Sequence, residues 1–251
     1  MKRIIIFIIA GIAALAAVSC DKDNTLRYNN LTMGNVVDGR FVSDQGNTFN
    51  VVEQTCMGRL DTLERAIILC DVLYQEEGGD YAVRLNNMQK VLTKSPINSS
   101  ETSDENILTN DPLILSDMWV SGGYLNIQLT IPVKIESTQP HIINLMFDDA
   151  AQKDGIYKFT LLHNAGGEVL KSEESNNDMY LANAYASFPI TSIITEENAK
   201  IRLTWNSYKI NSQYMVSSES VDKTYEFDYV KGAFEQAPTS KVETAATCSL
   251  N

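Results

Sequence analysis

From Tyr124 to Val133 apolar and polar side chains alternate: Leu125, Ile127, Leu129 and Ile131 point one way, Asn126, Gln128 and Thr130 the other. A period of two marks a strand with one buried face. Further strand-like segments follow at residues 113–120, 141–147, 155–164, 179–188, 199–208 and 224–230. Seven strands at this spacing predict an immunoglobulin-like β-sandwich. On the same alternation Trp205 shares a face with Ile201 and Leu203, which assigns it to the sandwich core.

The chain upstream is also strand-like, at residues 31–37, 40–43, 48–52, 65–74 and 81–92. Asp38-Gly39, Asp44-Gln45-Gly46-Asn47 and Glu76-Glu77-Gly78-Gly79-Asp80 supply the turns. Strands this short, joined by Gly-rich turns, predict a small β-barrel. Between the blocks lies KSPINSSETSDENILTND (94–111), polar and Ser-rich. The division that follows is a tether at 20–30, a barrel at 31–95, a linker at 96–110, a sandwich at 111–235 and a disordered tail at 236–251. The fold class is all-β, and no long helical period follows the first 20 residues.

Those first residues have a pattern of their own. Lys2 and Arg3 precede an unbroken apolar run from Ile4 to Val18, which ends at Ser19-Cys20. The run is shorter than the ~20 residues that span a bilayer and has the layout of an export signal. Its cysteine makes it a lipoprotein signal. Cleavage between Ser19 and Cys20 leaves a thiol that carries diacylglycerol and acyl chains of the palmitate type, and the first partner implied is therefore a membrane.

Removing Lys2 and Arg3 with the leader takes the formal net charge from −12 to −14. That charge is uneven, −2 over residues 24–96 and −11 over 97–251, in keeping with two domains. A surface so acidic disfavours nucleic acid, which requires basic side chains against its phosphates. A cationic protein or peptide suits it better, through electrostatic steering.

Once Cys20 is acylated, Cys56, Cys70 and Cys248 remain. Cys56 with Cys70 is a candidate disulfide, closing a short loop in an oxidising compartment. The only histidines, His141 and His163, lie in no metal-ligand spacing. Asp148, Asp149 and Asp154 crowd one loop but lack the spacing of an EF-hand. There is no Gly-x-Ser-x-Gly elbow, dinucleotide fingerprint or phosphate loop, so nothing implies catalysis, a resident metal or a cofactor. Trp119, just before the Ser121-Gly122-Gly123 turn, is placed either to pack the domain junction or to offer an aromatic platform to a glycan.

Four segments carry a family resemblance: YAVRLNNMQKVLTKSP (81–96), NDPLILSDMWVSGGYLNIQLTIPV (110–133), HIINLMFDD (141–149) and GIYKFTLLHNAGGE (155–168). In order and spacing they resemble the NigD-like lipoproteins of Bacteroidetes over residues 30–234, with the segment around Trp119 the most specific. Residues 59–64 and Cys56 follow the pattern loosely. The resemblance implies an N-terminal OB-like barrel, a C-terminal sandwich and a lipid anchor in the outer membrane, with the cell surface ahead of the periplasmic face. It implies that Asp21 and Asp23 act as an export signal behind the lipidated cysteine. Asp61-Thr62-Leu63 resembles the motif O-glycosylated in that phylum, at Thr62 here. It transfers no catalytic residue. The expected function is a non-enzymatic binding or interaction module. The alternatives are bacteriocin immunity or an accessory role, which the family's gene setting implies, and glycan binding at the surface.

Overall fold

The structure, a computed structural model, describes residues 26–149, 152–153, 155–171, 176–211, 215–232 and 235–236. The leader, Cys20, Asp21, Asp23, Asp154 and Cys248 lie outside them.

Strands β1 (Leu26–Val37), β2 (Arg40–Ser43), β3 (Thr48–Gln54), β4 (Arg65–Gln75) and β5 (Tyr81–Lys90) close into a barrel in the order β1-β2-β3-β5-β4. All pairs are antiparallel except β3 with β5, which is the OB-like arrangement. Phe41, Phe49, Ile68, Val83 and Leu85 fill the interior. A 3-10 turn at Leu60–Thr62 adds Leu60 to that core. β1 and β2 approach so closely at Gly34 that a β-carbon there would lie 2.2 Å from the Val42 carbonyl oxygen; only glycine fits.

The sandwich comprises β6 (Leu92–Thr93), β7 (Ile97–Asn98), helix α1 (Glu105–Leu108), β8 (Ile114–Ser121), β9 (Tyr124–Lys134), β10 (Ile142–Phe147), β11 (Ile156–Asn164), β12 (Met179–Pro189), β13 (Asn198–Ile210), β14 (Val216–Val230) and β15 (Glu235–Gln236). One sheet runs β14-β13-β11-β10-β7 and the other β15-β8-β9-β12-β6. Leu125, Ile127, Leu129 and Ile131 are fully buried between the sheets as the alternation predicts, but Asn126 and Thr130 on the opposite face are buried as well, so β9 has two covered faces. Trp205 joins the same core. Among the described residues its Nε1 is a buried side-chain polar atom without a hydrogen-bond partner.

All seven expected sandwich strands and all five barrel strands form, with shifted ends. β1 starts at Leu26, pairing with Val72, so half of the expected tether is strand. β14 starts at Val216, because a long hairpin with β13 carries both strands beyond the packed core. The stretch read as a linker is built into the sandwich. Ile97 pairs with Met146, and Asn164 Nδ2 donates to the Asn106 carbonyl of α1. The Asp111 N–H donates to the His163 carbonyl, and Leu113 exchanges backbone bonds with Asn206 and Tyr208. These elements are two to four residues long with polar outer surfaces, so their composition mimics a linker.

Candidate functional site

The barrel meets the sandwich across a small apolar cluster of Met33, Ile67, Val91, Trp119 and Tyr185. Beside it lies a charge taken fully out of water. Arg65, the first residue of β4, has a side chain 0% exposed, and its partner Asp44, in the β2–β3 turn, is 6% exposed. Arg65 Nη1 and Nη2 donate to the two carboxylate oxygens of Asp44 at 2.8 and 2.6 Å, the bidentate geometry that suits a guanidinium. Nη1 also donates to Asn35 Oδ1 at 2.9 Å. Nη2 donates to Asn126 Oδ1 at 3.0 Å and Nε to Ser187 Oγ at 2.9 Å. All five guanidinium donors are used. Tyr124 lies under the cation, its ring centroid 4.2 Å from Cζ.

The ownership of these partners matters. Asn35, Asp44 and Arg65 belong to the barrel, while Tyr124, Asn126 and Ser187 belong to the sandwich. Ser121 Oγ closes the ring, donating to Asp44 Oδ2 and accepting from Asn126 Nδ2 and Trp119 Nε1. The result is an ionic clasp between the domains. It depends on the turn after β8, because Gly122 has φ +58° and a β-carbon there would lie 2.4 Å from Asp44 Oδ1.

A second buried polar group sits at the other end of the sandwich, where β9 finishes at Lys134. There the two histidines of the chain meet. His141 Nδ1 is 2.9 Å from His163 Nε2, and His141 Nε2 is 3.2 Å from Glu168 Oε2. The far nitrogen of His163 faces the Pro112 carbonyl at 3.3 Å. Glu168 also accepts from the Lys134 N–H at 2.9 Å and from the Ser137 hydroxyl. His163 is pushed down to about 4, chiefly by burial and then by the charge of His141. Burial opposes ionisation of Glu168, but the Lys134 N–H, Ser137 and His141 together outweigh it and hold its carboxyl below the ordinary value. Because β9 lies in one sheet and β10 and β11 in the other, this chain cross-links the two layers.

The remaining expected residues fall apart spatially. Cys56 and Cys70 are both free thiols, so the candidate disulfide is not made. β5 separates them: Leu85 pairs with Gln54 of β3 on one side and Cys70 of β4 on the other. Two strand spacings of about 4.8 Å thus part Cys70 from Gln54, the last residue of β3, which is more than the ~4.4–6.8 Å between α-carbons that a disulfide bridges. Trp119 is half-buried at the junction, not an open platform. Thr62 is exposed, its hydroxyl donating to the Arg59 carbonyl at 2.7 Å. Asp148 and Asp149 are exposed, and Asp149 accepts from Asn98 Nδ2 at 2.6 Å. Among the described residues no group of three or more His, Cys, Asp or Glu is arranged to hold a metal ion, and no helix is long and apolar enough to cross a membrane.

Residues 95–219 match the family of the NigD-like C-terminal beta sandwich domain. The sandwich belongs to the NigD-like family. Solved structures extend the likeness to the whole two-domain layout. A protein of unknown function from Bacteroides vulgatus is similar at 22% identity and TM-score 0.58, covering 86% of this chain and 96% of its own. A NigD-like immunity protein from Bacteroides caccae is similar at 16% identity and TM-score 0.56, covering 82% of this chain and 95% of its own. A candidate lipoprotein from Bacteroides fragilis is similar at 13% identity and TM-score 0.54, covering 80% of this chain and 97% of its own. At these identities the likeness shows the fold. No match was found among curated protein sequences. The match begins at residue 95, which includes β7, and ends at residue 219 within β14.

Neither buried cluster is legible in the sequence. Asn35, Asp44, Arg65, Asn126 and Ser187 are scattered over four strands and a turn. One signal was available: Arg65 opens the apolar run RAIILC, and a cation next to a fully buried strand needs a partner.

Proposed function

We propose that the protein is a lipid-anchored envelope protein that acts by binding, with no reaction of its own, and that it presents barrel and sandwich as one rigid body. The observation that carries this reading is the clasp. An arginine that holds Asn35 and Asp44 of its own barrel and reaches across the boundary to Asn126 and Ser187 favours a fixed relation between the two surfaces, which suits a scaffold for recognition. The leader supports attachment at Cys20, with Asp21 and Asp23 as the export signal. Exposed Thr62 is a site for O-glycosylation, to be read by the mass of the intact protein against a Thr62→Ala variant.

Palmitate labelling of cells that express the full chain tests the anchor. Label is expected in the wild type and absent in Cys20→Ala; equal labelling overturns it. Binding is tested by immobilising the protein and passing basic peptides over it at low and high salt. Retention that falls with salt is expected of the acidic sandwich, and no retention at any ionic strength counts against it.

Bacteroides caccae has a similar structure named an immunity protein, which favours one specific alternative: protection of the producing cell from a cationic bacteriocin. Expression in a sensitive strain should raise survival, and unchanged killing would exclude it. Glycan capture has weaker support, because Trp119, its proposed platform, is engaged at the domain junction.

A further inference from the structure

Hydrogen-bond direction fixes the protons in the histidine chain. The Pro112 carbonyl can only accept, so His163 carries its proton on Nδ1 and turns a bare Nε2 toward His141. His141 must then donate from Nδ1. Its Nε2 faces a carboxylate that also receives the Lys134 N–H and Ser137, and so it donates there as well. His141 thus donates from both ring nitrogens, to the Glu168 carboxylate on one side and to the bare nitrogen of His163 on the other. The ring planes are 16° apart and the centroids 5.2 Å apart. Two ring radii and the 2.9 Å N···N contact account for that separation, so the rings meet edge to edge.

We propose that this chain is an acid-sensitive latch: a second proton, on His163 Nε2, sets two N–H groups against each other, breaks the His141–His163 bond and, by displacing His141, takes one of its three donors from Glu168 and loosens the 165–171 loop at the end of β9. Glu168 and Asp111 are the charged groups that face the pair. Glu168 takes the Nε2 side of His141. Asp111 lies near His163 and accepts from the Ala165 N–H at 2.8 Å. Lys134 contributes its backbone, while its ammonium points to Asp178 at 3.3 Å. Tyr208, from β13, accepts the Leu170 N–H at 3.1 Å. None offers a new acceptor to a protonated His163 Nε2, and burial of both rings keeps water from supplying one. The loop is joined to the latch through Glu168, whose own N–H closes a turn on the Ala165 carbonyl. Release would change the surface at the end of the sandwich remote from the barrel.

The test is amide hydrogen exchange on the full chain between pH 7 and pH 4, together with the NMR titration of both histidine rings. Protection of residues 165–171 is expected to fall about tenfold or more across the window in which His163 titrates, while the β4 and β5 amides remain protected. In His163→Gln, which can accept at the same place but cannot titrate, the loop should keep its protection down to pH 4. Opening of the loop in His163→Gln at the wild-type pH would overturn the proposal. If that variant does not fold, the wild-type titration still decides: a His163 midpoint at or above that of a free histidine would overturn it.

Discussion

A β-carbon on Gly122 would stand 2.4 Å from Asp44 Oδ1, so a turn of the sandwich and a turn of the barrel are fitted to each other atom against atom. Gly122→Ala is expected to displace the carboxylate that neutralises Arg65, with added strain from its φ of +58°. Its cost should exceed the ~1 kcal/mol of an ordinary glycine turn replacement. Gly39→Ala is the control, since its φ is +77° and no atom lies within 4 Å of its β-carbon. Chemical denaturation of the two variants makes the comparison, and equal losses would contradict the fit described here.

Removing one side of the clasp leaves a buried charge unpaired. Asp44→Ala or Arg65→Met should each cost about 3–5 kcal/mol. The double variant should cost less than the two losses combined, because neither charge is then stranded. Calorimetry adds a second readout: the wild type is expected to unfold in one transition, and the single variants in two as barrel and sandwich uncouple.

The histidine chain sets the acid limit of stability. His163 is held near 4 in the folded protein, below the ~6.5 of an unfolded histidine. The unfolded chain therefore binds this proton first as the pH drops. The stability linked to it is complete above about pH 6.5 and is lost toward pH 4, on the order of 3 kcal/mol. Glu168, also lowered, adds a loss of the same sign at the acid end. Melting temperatures measured from pH 7 to pH 4 should fall in the wild type and flatten in His163→Gln.

Cys70 packs in the barrel core and its thiol is pushed up to about 11, first by burial and then by Asp71. Cys56 is only half-buried. A maleimide should label Cys56 in the folded protein and Cys70 only after denaturation. Non-reducing peptide mapping should find no Cys56–Cys70 link.

The strands were legible because burial on one face imposes a period of two, which Leu125 to Ile131 satisfy only as a strand. Local pattern failed where pairing is brief. Ile97 and Asn98 make two parallel bridges to β10 inside a segment whose composition is that of a linker. The clasp escaped for another reason. Arg65 and Ser187 stand 122 residues apart; the run RAIILC signals that Arg65 needs a partner, but only the docking of one domain on the other reveals which residues meet that need. His141 and His163 escaped in the same way: 22 positions fit no ligand spacing, yet antiparallel pairing of β10 with β11 sets His163 opposite Ile143 and brings the rings together.

Protease treatment of intact cells that express the full chain tests whether the lipid on Cys20 holds the proposed two-domain binding body on the outer face of the cell, as the expected export signal at Asp21 and Asp23 implies. Digestion of the wild type without lysis, with Cys20→Ala missing from the cell surface, is the expected result. Protection of the wild type until the cells are broken would contradict it and place both domains on the periplasmic side.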